Sequence, residues 1–167
     1  MIDEKEAIKK GVVEVAKLMA IAAKTAPKAR GIDNIKILIL DRKEELEKLA
    51  NCMEELADRY GAFFKRDAEN VRNSDAVVLL GATKIDLGLK TPEDYPVDIN
   101  LVMMLLNLGI ALGSAVKTAG IHNVDNRVMY SIGYTAQKMG LMKADVVIGI
   151  PLSARGKNIY FDRKWPK

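Results

Sequence analysis

Four basic side chains on two turns are the residues best suited to bind an anion. Lys28 and Arg30 lie on a turn that begins at Pro27, and Arg155 and Lys157 follow a predicted strand. A phosphate group is held by charge-assisted hydrogen bonds from donors that converge on it. Each of these residues alone is typical of a solvated surface, but the two turns together predict a phosphate site.

A third cation, Arg127, lies in the first turn of a predicted helix. Free backbone N–H groups favour anions at such a position. Asp125 argues against an anion site there, because a carboxylate cap would already occupy those N–H groups.

Other catalytic chemistry has little support. His122 is the only histidine, and no sequence neighbour would orient it as a base. Cys52 is the only cysteine, so an internal disulfide or a thiolate cluster cannot form, and no metal site is predicted. Cys52 borders the apolar face of a predicted helix, which favours a small buried hydrophobe over a reactive thiol. No glycine-rich nucleotide loop occurs between a strand and a helix.

Length and charge indicate one ordinary domain. A chain of 167 residues can bury a core without disulfides. Its 26 basic and 22 acidic residues alternate along the predicted helices, whereas a nucleic-acid binder would concentrate its cations on one face. The nearest candidate for such a face is the basic C-terminal segment, which ends at Lys167. Residues 1–10 do not resemble a signal peptide, which predicts a cytoplasmic protein, and the high charged fraction with one glutamine favours a thermophilic source.

The hydrophobic periodicity predicts alternating helices and strands. Capping residues place one helix over residues 3–23, a second beginning at Asp41 and a third beginning at Asn123 or Asp125. Aliphatic runs predict strands at 35–40, 76–80 and 145–150, with a short helix at 62–73 and an extended piece at 157–161. Residues 82–97 contain Gly and Pro with scattered charge and predict a long loop. No segment could form a core alone, so a single domain over residues 1–167 is expected.

The longest apolar run lies within residues 100–127 and predicts a helix capped by Asp98. Gly109 and Gly113 leave one side of this helix bare, although glycine costs about 1 kcal/mol relative to alanine in a helix interior. Close helix packing within the chain is one explanation. The other is a two-fold interface in a homodimer. Asn100 and Asn107 argue against a membrane span.

Several segments resemble a prokaryotic family of unknown function whose members are described as ferredoxin-domain-containing proteins. The resemblance covers nearly the whole chain and implies a cysteine-rich insert after Gly81. This sequence has no cysteine there, so an iron–sulfur cluster is not expected. The segments are AAKTAPKARG (22–31), RDAENV (66–71), GIALGSAVKTA (109–119), NVDNR (123–127), GIPLS (149–153) and GKNIYFDR (156–163).

A looser resemblance reaches the flavin-dependent nitroreductases, through the Ala-Pro turn at 26–27, the small-residue helix at 108–119 and the late basic segment. It implies an α+β fold of nitroreductase type, a small mixed sheet packed with helices, and a homodimer built on the long helix. The basic-Ser-basic start of that family is represented by Lys9 and Lys10 without the serine.

The resemblance implies a flavin-binding oxidoreductase with FMN between the subunits. The candidate phosphate contacts are then Lys28, Arg30, Arg155 and Lys157, next to the Pro27 turn. Asn34 and Asn126 are candidates to hydrogen-bond the flavin ring or its ribityl chain. The alternative is a cofactor-free protein of the same fold with a structural or binding role.

Overall fold

The computed structural model describes residues 1–161, so the end of the basic segment, including Lys167, lies outside the described residues. A four-stranded sheet lies between two layers of helices. In chain order the elements are α1 (Glu4–Thr25), a 3₁₀ turn (Ala29–Gly31), β1 (Ile35–Leu40), α2 (Lys43–Tyr60), α3 (Phe63–Arg72), β2 (Ala76–Ala82), α4 (Ile99–Ile121), β3 (Asp125–Asn126), α5 (Tyr130–Lys138) and β4 (Val146–Ser153).

The sheet has the strand order β1-β2-β4-β3, and every described strand pair is antiparallel. The prediction of a mixed sheet was therefore wrong in this respect. Side chains alternate between the two faces of the strands. Ile35, Ile37 and Ile39 pack with α1 and α4, whereas Leu38 and Leu40 pack with α2, α3 and α5.

Two helix starts follow the predicted capping chemistry. The Asp3 carboxylate accepts a hydrogen bond from the Glu6 N–H at 2.8 Å, and the Asp98 carboxylate accepts one from the Asn100 N–H at 2.8 Å. Each bond satisfies a backbone donor that has no partner within its helix. Residues 83–98 between β2 and α4 contain no helix or strand, whereas the sequence predicted a long loop at 82–97.

Two predicted helix starts were wrong. Residue 42 precedes α2 without a side-chain cap from Asp41. The helix expected from Asn123 or Asp125 begins only at Tyr130, because Asp125 and its neighbour pair with the end of β4. Arg127 therefore precedes the helix, and its guanidinium donates to the Tyr160 carbonyl at 2.9 Å.

The predicted extended piece at 157–161 is not a strand in the structure. The Asn158 side chain accepts from the Tyr160 N–H at 2.9 Å, which closes a tight turn, and donates to the Asp125 carboxylate at 2.9 Å. Tyr160 is buried, and its hydroxyl shares a 2.8 Å hydrogen bond with Ser74. This local pairing folds the segment back on its own chain.

Helix α5 approaches β4 closely because each of them has a glycine in the contact: Gly133 of α5 faces β4, and Gly149 of β4 faces α5. A Cβ added at Gly133 would lie 1.9 Å from the Val147 carbonyl oxygen, and one added at Gly149 would lie 2.1 Å from Ile132 Cγ2. Real Cβ contacts are far longer, so only glycine permits this helix-to-strand distance.

Helix α4 buries one face and exposes the other. Met104, Leu108 and Ala111 belong to the core shared with α1 and the sheet. The α4 apolar face, defined as Leu105, Leu106, Gly109, Ile110 and Gly113, is exposed. A Cβ added at either glycine would meet no atom of residues 1–161 within 4 Å, so close packing among these residues does not explain the glycines. By length and composition alone α4 could cross a membrane, but its buried face is part of the folded core.

Candidate functional site

The structure places the two predicted phosphate-binding turns at opposite ends of the sheet. Ile35, which begins β1, pairs with Ala82 at the end of β2. The start of β2 pairs with the end of β4, where Arg155 follows. Strand β1 has six residues and is about 20 Å long. Within one chain, the 28–30 turn and the 155–157 loop therefore cannot bind the same phosphate.

At the first end, Lys28 caps helix α1. Its ammonium group donates to the carbonyl oxygens of Lys24 at 2.6 Å and Ala26 at 2.9 Å. It also lies 3.9 Å from the Asp33 carboxylate, and its side chain is only 6% exposed. These carbonyls have no partner within the helix, so Lys28 satisfies backbone acceptors at the point where Pro27 ends α1.

Arg30 connects the same turn to the long loop. Its backbone adopts a left-handed conformation (φ 54°), and its guanidinium donates to the Leu87 carbonyl. Leu87 is buried, and its N–H donates to the Asn100 side chain at 3.0 Å. The Lys84 N–H donates to the Asp145 carboxylate at 2.6 Å. Direct polar contacts thus fix the first half of the 83–98 loop.

Asn34 belongs to a buried amide network. The Asn107 side chain accepts from the Ala29 N–H at 2.8 Å and donates to the Asn34 side-chain oxygen at 3.0 Å. Asn34 in turn donates to the Thr83 carbonyl at 2.9 Å. Asn34 and Asn107 are both buried. The side chains of Asn34 and Asn107 together hold the 3₁₀ turn, α4 and the loop in place.

The second end of the sheet carries Arg155, Lys157 and Asn126. Asn126 lies in β3 beside Leu152, and its amide donates to the Val124 carbonyl at 3.1 Å. Arg155 donates to both oxygens of Asp75, at 2.6 and 2.9 Å. This hydrogen-bonded pair raises the pKa of Arg155, so the guanidinium stays charged. Lys157 is exposed on the same loop.

A cleft of about 550 Å³ opens beside Arg155. Five basic and two acidic side chains line it, so its charge favours an anion. Lys5 and Lys9 face it from α1, and neither ammonium group bonds to another residue of the described chain. The two other cations are held in place, since Lys43 donates to the Arg72 carbonyl at 2.6 Å and Arg72 pairs with Glu54. We call this the basic cleft.

A hydrogen bond between two buried hydroxyls, those of Ser74 and Tyr160, lies next to the basic cleft. Ser74 donates to the Asn70 carbonyl at 2.7 Å and shares its second hydrogen bond with Tyr160. Burial raises the pKa of Tyr160 to about 12, so its hydroxyl remains neutral. This contact fixes the 154–161 loop against the turn before β2, and it thereby positions Arg155.

Sequence reasoning identified Arg155 but missed Lys5 and Asp75 as its neighbours. The polar face of an amphipathic helix offers no local signal that separates Lys5 from its other exposed cations. Asp75 lies 80 residues from Arg155 in sequence, and only the pairing of β2 with β4 brings the two together.

The described residues offer no cluster of metal ligands, and the cysteine count of the sequence does not fit an iron–sulfur cluster. Among residues 1–161 no group of three or more His, Cys, Asp or Glu side chains could hold a metal ion. An iron–sulfur cluster of ferredoxin type needs four thiolates, and Cys52 is the only cysteine. Cys52 is half-buried on α2, and burial raises its pKa, so it is a thiol rather than a thiolate.

Comparison with solved structures identifies the fold. A BluB-like flavoprotein from Clostridium difficile is 16% identical with a TM-score of 0.58, over 92% of this chain and 85% of that chain. A nitroreductase family protein from Clostridium novyi is 15% identical with a TM-score of 0.59, over 92% and 75%. The hypothetical oxidoreductase YcnD from Bacillus subtilis is 15% identical with a TM-score of 0.59 over 92% of this chain, which spans only 61% of that protein. The predicted nitroreductase-like fold is confirmed.

Comparison of sequences identifies the family. Residues 98–163 match the family described as uncharacterized proteins containing a ferredoxin domain, and that matched segment contains no cysteine. An uncharacterized protein of Archaeoglobus fulgidus is 42% identical over 181 residues, which cover 98% of this chain and 97% of that protein. The chain therefore belongs to the family of uncharacterized proteins containing a ferredoxin domain (DUF2148), and it has the nitroreductase fold.

Proposed function

We propose that this protein binds FMN, with the flavin phosphate in the basic cleft, and acts as an oxidoreductase of nitroreductase type. The observation that carries the proposal is the pair of ammonium groups of Lys5 and Lys9, which face the cleft beside Arg155 and have no partner among residues 1–161. The fold adds support, because the solved structures that share it include a protein described as a flavoprotein.

The residues of the basic cleft fit a phosphate. A phosphate dianion favours several charge-assisted donors on different elements. Lys5 and Lys9 come from α1, whereas Arg155 follows β4 and is held by Asp75. The Arg155 side chain is 40% exposed. Asp75, Ala154 and Asn73 accept from four of its five N–H groups, so among the described residues the Nε–H remains as the donor for a ligand. Bound flavin would supply the hydride or electron transfer, and the protein would supply binding and orientation.

A homodimer would bring the two ends of the sheet into one site. We propose that the α4 apolar face forms its two-fold interface and that FMN lies in a groove between the subunits. The 28–34 segment of one subunit, with Lys28, Arg30 and Asn34, would then lie beside the cleft of the other. Support comes from the exposed Leu105, Leu106 and Ile110, which surround Gly109 and Gly113. A Cβ added at either glycine would meet no atom of the described residues within 4 Å.

Replacing Gly113 with leucine is expected to weaken this dimer. The added side chain would occupy space that the partner helix needs, so the dimer dissociation constant should rise at least about tenfold, which corresponds to about 1.4 kcal/mol. Sedimentation across a concentration series measures this change. Lys48→Leu, which places the same side chain on an exposed position of α2 across the sheet, is the control. An unchanged dimer in Gly113→Leu would contradict the proposed interface.

The flavin proposal is tested most simply by the visible spectrum of protein purified without added flavin. We expect the absorption of oxidised flavin, or its appearance after micromolar FMN is added and the excess is removed. Colourless protein that also fails to bind added FMN would contradict the oxidoreductase proposal.

Lys9→Gln is expected to weaken FMN binding about tenfold, because one charge-assisted contact to the phosphate would be lost. Fluorescence titration of FMN measures the change. Lys17→Gln on the same helix is the matched control, because Lys17 pairs with Glu14 and lies outside the basic cleft. Equal FMN affinities in the two variants would remove Lys9 from the site.

The second candidate function is a cofactor-free binding or structural protein of the same fold. It is favoured because three residues predicted to contact the cofactor already donate hydrogen bonds to backbone carbonyls of this chain. These residues are Lys28, Arg30 and Asn34. In that case the basic cleft would bind a small anion, and FMN would bind no better than inorganic phosphate. The titrations above distinguish the two functions.

A further inference from the structure

The basic cleft continues as a groove along α1. Its first section, about 360 Å³, is lined by Lys5, Lys9 and Arg155. Its second section, about 270 Å³, is lined by Gly11 and His122. Ile8 and Ala154 line both sections, so the two are adjacent. We call this the α1 groove.

The length of the α1 groove suits an elongated ligand with an anionic head. Its wall runs from Glu4 to Val15 along α1, which is about 16 Å at 1.5 Å per residue. This length accommodates a phosphate, a ribityl chain and the near edge of a ring. The second section is apolar at its base, where Val12, Val15 and Val124 are buried. An apolar base with polar groups at its ends is typical of small-molecule sites.

Gly11 is the second observation that points to a ligand. It lies inside α1, where glycine weakens a helix relative to alanine. A Cβ added there would meet nothing within 4 Å, so packing within the described chain does not require glycine. The space beside Gly11 is part of the α1 groove, which is where a ligand would need the missing side-chain volume.

His122 lines the second section of the α1 groove. The α4 terminus positions its backbone, because the His122 N–H donates to the Ala119 carbonyl at 3.1 Å and Asn123 turns the chain with φ 55°. The imidazole is exposed and makes no hydrogen bond or ion pair within the described residues. An imidazole nitrogen can donate to a carbonyl oxygen or accept from an N–H group, and a flavin ring edge offers both.

We infer that the α1 groove holds the ribityl chain and ring edge of the flavin, and that His122 is a ring contact. This inference rests on the proposed function, because it takes the phosphate in the basic cleft as its starting point. It assigns the ring to the end of α4 rather than to Asn34, whose amide groups are already bonded within the chain.

The single histidine makes a direct test possible, since every imidazole signal in an NMR spectrum comes from His122. We expect FMN to shift these signals. Inorganic phosphate, which is the head group alone, should bind in the basic cleft without shifting them. His122→Gln should weaken FMN binding several-fold and leave phosphate binding unchanged.

Gly11 supplies the matched pair of variants. Gly11→Leu would fill the α1 groove and is expected to weaken FMN binding at least about tenfold, with phosphate affinity unchanged. Gly11→Ala adds only a methyl group to open space and should stay within about twofold of the parent protein. Circular dichroism and sedimentation of each variant check that the fold and the oligomeric state are retained.

The outcomes separate this inference from the proposed function. If the parent protein binds FMN but the His122 signals do not move, or Gly11→Leu and His122→Gln bind FMN normally, the α1 groove is not the ring site and the proposed function stands. The same conclusion follows if phosphate alone shifts the signals equally. If Gly11→Leu changes the oligomeric state but not FMN affinity, a partner subunit occupies the space beside Gly11 and the inference is overturned. If FMN does not bind at all, both proposals fail.

Discussion

Replacing Gly133 with alanine is expected to destabilise the fold by about 3 kcal/mol or more, which lowers the thermal midpoint by about 10 °C. The new Cβ would lie 1.9 Å from the Val147 carbonyl oxygen and 2.3 Å from its carbon. Both atoms belong to the central strand β4, so no side-chain rotation relieves the overlap. Helix α5 must move away from the sheet, which opens the core around Ile132.

Chemical denaturation followed by circular dichroism measures this change. Gly156→Ala is the matched control, because a Cβ added there meets nothing within 4 Å and its backbone has no positive φ. Its free energy of unfolding should stay within about 0.5 kcal/mol of the parent value. If Gly133→Ala were as stable as this control, α5 and β4 could not approach as closely as described.

The sequence predicted the elements whose signals are local. Asp3 and Asp98 cap their helices as expected, and the aliphatic run Ile35–Leu40 forms β1. The same rules failed at Asp125, a good capping residue that pairs with Ser153 of β4 instead. Capping propensity is worth about 1 kcal/mol, and tertiary pairing can outweigh it.

The sequence predicted which residues could bind an anion, but it did not predict which turns lie close together in the fold. Lys28 and Arg155 were grouped by their charge and by resemblance, but the antiparallel order of the strands separates them. The ammonium group of Lys28 donates to backbone carbonyls, and a pattern of side chains in the sequence cannot predict such bonds. The basic cleft depends on contacts such as Arg155 with Asp75, which exist only once β2 and β4 have paired.

Asn107→Ala is expected to cost about 3 kcal/mol of unfolding free energy, because it leaves one buried and one half-buried polar group without partners at about 1–3 kcal/mol each. The Ala29 N–H would lose its acceptor, and the Asn34 side-chain oxygen would lose its donor. Thermal and urea unfolding measure the loss. Ser114→Ala on the same helix is the control and should be nearly neutral, since the Ser114 side chain makes no hydrogen bond within the described residues.

A double-mutant cycle with Asn34→Ala determines whether Asn34 acts within the chain or toward a ligand. If the amide network is its role, Asn34→Ala and Asn107→Ala should each reduce stability, and their effects should couple by about 1 kcal/mol because the two side chains share a hydrogen bond. In that case any loss of FMN affinity in the two variants would come from a changed conformation of the 28–34 segment. The contrary outcome is that the stability effects are additive and that only Asn34→Ala loses FMN affinity. Asn34 would then be a flavin contact, because removing a side chain from a buried network must destabilise its hydrogen-bond partner.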